Sequence, residues 1–180
     1  MTEIPKNNPE KKEVVDDNDR KFTLETIDPQ FLAENKTKSY TLITDWLETN
    51  DADETKIVRK IFHEGKDEEK VQTLLIAKIT VGGNRTAEKK EISDDEYNEY
   101  LKQTKIHIEK TRYEFDIDQD GARFNAKYDE FSDSNLRVLE VGPDTLGENK
   151  QFKPEDFKYS LHEVSDDISF TGFRVARHIN

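Results

Sequence analysis

The feature that most constrains the fold is a pair of alternating segments on either side of an Asp120-Gly121 dipeptide. Asp-Gly between two such segments is typical of a two-residue β-hairpin turn. Side chains alternate across a strand, so Lys110 and Arg112 share one face of the first segment. In the second segment the alternation separates a polar set from an apolar set, namely Arg123, Asn125, Lys127 and Asp129 against Ala122, Phe124, Ala126 and Tyr128. The sequence therefore predicts a hairpin with one charged face and one apolar face.

Two arrangements produce this alternation. An ordinary antiparallel sheet buries its apolar face and exposes its polar face to water. A barrel with a polar interior gives the same pattern when helices cover its apolar outside. The chain is 38% charged and 32% hydrophobic, which approaches the composition of disordered chains, yet ten Phe, six Tyr and one Trp lie in the periodic segments. A charged interior reconciles the low apolar content with a folded domain, so the rest of the chain favours the barrel.

Charge and cysteine content exclude several classes of protein. The net charge is -12 and the isoelectric point about 4.9, whereas a nucleic-acid-binding domain is usually basic. The chain has no cysteine, which excludes disulfides, zinc–thiolate sites and thiol catalysis. It has neither a signal-peptide apolar segment nor an apolar run long enough to span a bilayer. We expect a cytoplasmic protein with no membrane or nucleic-acid partner.

Turn and capping signals divide the chain into a tail and one domain. Residues 1–16 are polar and lack periodicity, which predicts a flexible tail, and residues 17–180 form the domain. Asp28-Pro29 predicts the start of a short helix, and the capping box at residues 93–96 predicts a second helix that ends near Thr104. We predict strands at eight places, about residues 17–25, 39–48, 56–63, 71–81, 107–117, 122–131, 135–142 and 161–169. The predicted class is α+β, mainly antiparallel β.

The segment at residues 116–121 resembles the opening of an EF-hand calcium loop. The twelfth position of such a loop requires a bidentate glutamate, but Lys127 stands there. Its flanks are predicted strands rather than helices. We therefore interpret the segment as a hairpin turn and not as a calcium site.

Charged residues within the predicted strands are the candidate functional groups. Asp17, Asp19 and Lys21 share one face of an extended segment, where two carboxylates repel each other unless a cation lies between them. Basic and acidic side chains also interrupt apolar runs, and each would need a partner of opposite charge if it pointed inward. The basic ones are Arg59, Lys78, Lys110 and Arg112, and the acidic ones include Glu140 and Glu163. Taken singly, each basic residue is equally compatible with a solvated surface position, and each acidic residue favours an edge or surface position.

In their order, these segments resemble the CYTH domain of the triphosphate tunnel metalloenzyme family. Residues 17–22 resemble its E-x-E-x-K opening, with aspartate in place of both glutamates. Residues 108–113 resemble I-x-K-x-R-Y and are the closest match. Residues 129–131 resemble D-x-F, and residues 139–141 resemble the start of x-E-V-E. The resemblance covers about residues 17–176.

The resemblance implies an eight-stranded antiparallel tunnel with a few short outer helices and a charged lumen. It implies metal-dependent hydrolysis of inorganic triphosphate or another triphosphate-bearing small molecule, with Mg²⁺ or Mn²⁺ as the cofactor. The implied substrate ligands are Lys21, Arg59, Lys78, Lys110 and Arg112, of which Lys21 and Lys78 would also be catalytic. The implied metal ligands are Asp17, Asp19, Glu140 and Glu163.

Departures from the family pattern leave alternatives open. Ala87 and Lys89 stand where the family has glutamates, and Gly142 replaces the second glutamate of E-V-E. The carboxylate set is therefore thinner than in the family, which favours a second hypothesis, a domain that binds polyphosphate or nucleotide without turnover. The third hypothesis is an acidic sheet protein that binds another protein. The sequence does not identify the triphosphate, the metal or the oligomeric state.

Overall fold

A single antiparallel sheet forms the body of the protein in a computed structural model. The structure describes residues 11–14, 19–49, 54–63, 71–81 and 84–167. The strands are β1 (Lys11–Val14), β2 (Arg20–Thr23), β3 (Lys36–Leu47), β4 (Glu54–His63), β5 (Val71–Val81), β6 (Asn84–Glu91), β7 (Thr104–Gln119), β8 (Ala122–Phe131), β9 (Arg137–Asp144) and β10 (His162–Glu163). The helices are α1 (Pro29–Asn35) and α2 (Asp94–Leu101), and a 3-10 turn spans Pro154–Asp156.

The order of strands in the sheet is β1-β6-β5-β4-β3-β7-β8-β9-β2-β10, and each pair of neighbours is antiparallel. The α+β antiparallel class is confirmed. The sheet has ten strands rather than the eight that we expected. Within the described residues no ladder joins β1 to β10, so the hydrogen-bonded sheet does not close into a barrel.

Local signals explain several elements. Asp28 accepts a hydrogen bond from the Gln30 amide and caps α1, and Ser93 and Glu96 complete the capping box of α2. Asp120 and Gly121 both have positive φ, 50° and 77°, which is the two-residue hairpin turn predicted between β7 and β8. Lys11–Val14, expected in the flexible tail, pairs with β6 as β1. The predicted turn at Gly82-Gly83 lies outside the described residues.

The outer face of the sheet carries an apolar core that the described helices cover. Beneath α1 and the segment around Phe152, aromatic and aliphatic residues of β2, β7, β8 and β9 form one cluster, including Phe22, Phe115, Phe124, Tyr128 and Leu139. Beneath α2, Leu47, Val58, Ile92 and Tyr97 form a smaller cluster. The face that the alternation predicted to be apolar is therefore the outside of the sheet.

The inner face of the sheet is concave, and side chains from different strands bury one another there. The seven neighbouring strands β6-β5-β4-β3-β7-β8-β9 each contribute one inward residue to an apolar cluster: Trp46, Ile57, Ile76, Ala87, Ile108, Phe131 and Val138. These residues are at most 8% exposed, although the described helices both pack on the outer face. Arg59 on β4 and Glu140 on β9 also interact electrostatically, although four strand spacings would separate their backbones by about 19 Å in a flat sheet. The sheet therefore curls around a lumen.

Candidate functional site

The centre of the lumen is an aspartate held by two cations. Asp129 on β8 is 1% exposed, and its neighbour across the strands is Arg112 on β7. Arg112 donates to Asp129 through Nε (2.5 Å to Oδ1) and Nη2 (2.6 Å to Oδ2). Lys110, two residues before Arg112, donates from Nζ to Oδ2 of the same carboxylate. The fork of Arg112 matches both oxygens of the carboxylate, which is the strongest geometry for such a pair.

Burial and neighbouring charges set the protonation of this cluster. Burial alone would raise the pKa of Asp129, but the charges of Arg112 and Lys110 outweigh it and lower the pKa to about 2. Burial and the charge of Arg112 lower the pKa of Lys110 from 10.5 to about 8. The pKa of Arg112 is raised because Asp129 and Glu140 outweigh the effect of its burial. Asp129 and Arg112 are therefore charged at neutral pH, and Lys110 titrates just above it.

A second cation enters the lumen from β4. Arg59 donates from Nε to Oγ1 of Thr44, its cross-strand neighbour on β3, at 3.1 Å. Burial and the charge of Arg112 lower the pKa of Arg59 to about 10, which leaves it charged at neutral pH. Tyr40, opposite Arg112 on β3, donates its hydroxyl to Glu114. Burial and that bond raise the pKa of the Tyr40 hydroxyl.

The wall formed by β2 and β9 supplies further charged groups. Lys21 lies opposite Glu140, and Glu140 lies opposite Lys127 on β8, so the three share the inner face. Glu140 accepts from Nη2 of Arg112 at 3.2 Å, and Asp19 accepts from Nζ of Lys127 at 3.0 Å. The carboxylates of Asp19 and Glu140 are 23% and 22% exposed, so both remain accessible from the lumen.

Most of the residues predicted for the site lie on the inner face. Asp19, Lys21, Arg59, Lys110, Arg112 and Glu140 do so. Lys78 also lies on the inner face, opposite Thr55 and Ala87. It is distant from Arg59 along the strands, because Arg59 pairs with Leu74 and the inward residue Ile76 lies between Leu74 and Lys78 on β5. Asp17 lies outside the described residues.

Glu163 lies on the other face of the sheet. It pairs across the strands with Phe22, whose side chain is in the outer core, and it binds Arg20 at 2.8 and 2.6 Å. The bond from Arg20 lowers the pKa of Glu163 to about 2. The structure thus separates Glu163 from Asp19 and Glu140, the carboxylates that the resemblance had grouped with it.

Asp129 was not among the residues assigned to the site, although the sequence contained the signal. In a two-residue hairpin Gln119 pairs with Ala122, and counting back along both strands then places Asp129 opposite Arg112. Tyr40 and Glu114 were also missed. Their contact depends on the pairing of β3 with β7, which are far apart in the chain, so no local signal predicts it.

The carboxylates of the lumen fit a metal ion only together with a ligand. The described residues contain no group of three or more His, Cys, Asp or Glu side chains arranged to hold an ion. A Cβ atom at Gly142 would lie 3.3 Å from Oδ1 of Asp19, so the glutamate missing from the family pattern would have stood beside Asp19. Mg²⁺ in phosphate-binding sites usually takes one or two carboxylates together with phosphate oxygens. Asp19 and Glu140 fit that reduced role.

Comparison with known proteins identifies the fold. No family model and no curated protein sequence matches the chain. Among solved structures, the chain resembles the inorganic triphosphatase NE1496 with a TM-score of 0.57 and 19% identity, over 94% of this chain and 95% of that chain. A second structure, titled as the hypothetical protein NE1496, matches with a TM-score of 0.53 and 18% identity, over 93% of this chain and 97% of that chain. At these identities the likeness concerns the fold, and at that level the resemblance to the triphosphate tunnel family is confirmed.

No helix in the described part of the chain is both long and apolar enough to cross a bilayer. The other expectations about location and partners remain predictions.

Proposed function

We propose that the charged part of the lumen binds the triphosphate group of a small molecule and hydrolyses it with the help of Mg²⁺ or Mn²⁺. The observation that carries the proposal is that cations from three strands converge on one buried face: Lys21 from β2, Arg59 from β4, and Lys110 and Arg112 from β7. A polyanionic ligand would supply negative charge to balance this group of cations. The fold neighbour NE1496, described as an inorganic triphosphatase, supports the same conclusion.

Binding uses the parts of the cations that the protein leaves available. Arg112 directs Nε and Nη2 at Asp129 and Glu140, so its Nη1 edge is the one turned to a ligand. Asp129 holds Lys110 and Arg112 in place and offsets their mutual repulsion. Lys21 and Arg59 would bind phosphate oxygens from the opposite walls. Lys78 lies on the far side of the buried Ile76 from Arg59 and is not part of this set.

Hydrolysis of a phosphoanhydride depends mainly on positioning and on neutralising the charge of the transferred phosphoryl group. Arg59, Lys110 and Arg112 supply fixed positive charge in a site from which bulk water is largely excluded. Asp19 and Glu140 would hold the divalent ion against the phosphate oxygens. When bound, such an ion supplies further charge neutralisation and a water of lowered pKa.

The proposal is tested by incubating the protein with tripolyphosphate and either Mg²⁺ or Mn²⁺ and measuring released phosphate. We expect turnover in the wild type and a loss of about 10²–10³-fold in Arg59→Met, the effect typical of removing one donor to a transition-state charge. Arg123→Met is the matched control, because Arg123 pairs with Asp118 near the exposed end of the β7–β8 hairpin. Unfolding curves of both variants establish that they are folded. Absence of both binding and turnover in the wild type would contradict the proposal.

A second candidate, capture of a triphosphate without turnover, is favoured by one observation. Asp19, Asp129 and Glu140 each bind a cation of the protein, so none of these lumen carboxylates is reserved for a metal. The same assay separates the two candidates. Capture alone predicts that tripolyphosphate raises the melting temperature while no phosphate is released with either ion.

A further inference from the structure

Charged side chains of alternating sign form a row across five neighbouring strands of the inner face. From β3 through β7, β8 and β9 to β2, each member of the row lies opposite the next: Lys38, Glu114, Lys127, Glu140 and Lys21. Side chains that lie opposite each other on neighbouring antiparallel strands have their Cβ atoms about 4.5–5.5 Å apart, so each charge has neighbours of opposite sign. Lys127 is at the centre of this row, with a carboxylate on either side.

Lys127 also holds the carboxylate of Asp19. Its Nζ donates to Oδ2 of Asp19 at 3.0 Å, and the two side chains are 31% and 23% exposed. Asp19 lies beside Gly142, where a Cβ atom would be 3.3 Å from Oδ1 of Asp19, and Gly142 follows Glu140 on the same face of β9. Lys127 is therefore bonded to one of the two carboxylates proposed to hold the divalent ion and lies opposite the other.

An ammonium group and a divalent ion compete for the same carboxylate oxygens. A divalent ion binds through such oxygens, and a positive charge beside them repels it. The pair of Lys127 and Asp19 is partly exposed, and pairs of this kind contribute little to stability, so the pair can open at small cost. A bound phosphate chain offers Lys127 other anionic oxygens, and Asp19 is then left for the ion.

We propose that Lys127 is an internal counter-ion that keeps a divalent ion away from Asp19 and Glu140 until a phosphate chain is bound. This inference rests on the proposed binding of a triphosphate with a divalent ion and adds the order in which the two bind. When the phosphate chain enters, Lys127 passes from Asp19 to a phosphate oxygen, and the ion takes its place at Asp19. With respect to the ion Lys127 is a positioning residue, since it acts through Asp19.

Lys127→Met tests the proposal by titration calorimetry with each ligand alone, so that no turnover interferes. We expect the affinity for Mn²⁺ without phosphate to rise about 10-fold, because the ion no longer meets an ammonium group beside Asp19. We expect the affinity for tripolyphosphate without metal to fall about 10-fold, because one charged hydrogen bond to the ligand is lost. A role confined to packing would lower both affinities, so the opposite signs are diagnostic. An unchanged or lower affinity for Mn²⁺, or an unchanged affinity for tripolyphosphate, would overturn the proposal.

Further variants locate the effect and guard against misfolding. Lys127→Gln also removes the charge and should give the same two changes, whereas Lys127→Arg keeps the charge and should leave both affinities close to those of the wild type. Lys150→Met is the matched control, because it removes an exposed lysine beside the hairpin turn and should change neither affinity. Unfolding curves establish that each variant is folded.

The gain in affinity for Mn²⁺ must also depend on Asp19. We expect Lys127→Met to produce no gain when Asp19→Asn is already present, as for two residues that act at one site. A gain of the same size in that background would place the ion elsewhere and overturn the proposal. Failure of tripolyphosphate to bind the wild-type protein without metal would instead contradict the proposed function.

Discussion

The β7–β8 hairpin carries two arginine–aspartate pairs of the same design at different depths. Arg112 lies opposite Asp129, and Arg123 lies opposite Asp118, on the same face of the same two strands. Both arginines use Nε and Nη2 to bind the two oxygens of one carboxylate, at 2.5 and 2.6 Å in the first pair and 2.7 and 3.0 Å in the second. The first pair lies in the lumen and the second lies beside the turn.

The two pairs differ in burial and not in bonding geometry. The side chains of Arg112 and Asp129 are 14% and 2% exposed, whereas those of Arg123 and Asp118 are 48% and 64% exposed. Water solvates the outer charges almost as well when they are apart, so such a pair contributes little to stability. In the lumen each charge depends on its partner, because separating the pair would leave an unsolvated ion. Lys110 also donates to Asp129, so the inner aspartate contacts two cations whereas Asp118 pairs with Arg123.

Asp129→Asn is the strongest test of this contrast. The substitution keeps the shape of the side chain but leaves Lys110 and Arg112 buried without the charge that offsets them. We expect it to lower the free energy of unfolding by about 3–5 kcal/mol, the usual effect of removing one partner of a buried ion pair. Urea unfolding followed by far-UV circular dichroism measures the change.

Asp118→Asn is the control for that substitution, because it removes the same charge from a pair of the same geometry in water. We expect its unfolding midpoint to stay close to that of the wild type. Equal destabilisation by the two substitutions would show that the burial of the inner pair has no energetic consequence, and the contrast would be lost.

The sequence predicted the parts of this hairpin that local chemistry determines. The Asp120-Gly121 turn fixes the pairing of β7 with β8, and the two-residue period assigns Arg112 and Asp129 to one face. It did not predict β6, because this strand is held by pairing with β5 rather than by its own pattern. Among its residues 86–91, whose burial the structure describes, Ala87 alone is in the buried apolar core.

The face of the sheet on which Glu163 lies was likewise not predictable from its own segment. In a two-residue strand no periodicity is measurable, and its face follows from the register against β2, where Glu163 meets Phe22 instead of Lys21. A shift of one residue moves a side chain to the opposite face of a sheet, so the grouping of carboxylates from distant strands was the least predictable part of the site.

The contrast between the two pairs extends to the pH dependence of stability, because the buried Lys110 changes its protonation in the alkaline range. Its pKa falls from 10.5 to about 8 on folding, so between these values the unfolded chain binds more protons at this position than the folded chain does. The stability of the folded state therefore gains from this group as the pH rises from about 8 to 10.5 and is reduced by it below that window. We expect the difference in unfolding free energy between the wild type and Lys110→Met to shift in favour of the wild type across this range.

A matched variant identifies the source of that shift. Lys150→Met removes a lysine that donates to the backbone oxygen of Asp120 beside the hairpin turn and is exposed. We expect its unfolding free energy to follow that of the wild type throughout the same pH range. An identical pH profile for the wild type and Lys110→Met would mean that burial does not perturb Lys110.

Salt produces the smallest expected effect and addresses the exposed pair. At about 1 M salt the Debye length falls to about 3 Å, which screens charges in water but acts much less on charges that water does not reach. The hydrogen bond from Arg123 lowers the pKa of Asp118, and we expect high salt to return that pKa towards its usual value. The pKa of Asp129 should change less, because Arg112 and Lys110 contact it inside the lumen. Carboxyl-carbon NMR titrations at low and high salt measure both, and an equal response of the two aspartates would show that water and ions enter the lumen as freely as they reach the turn.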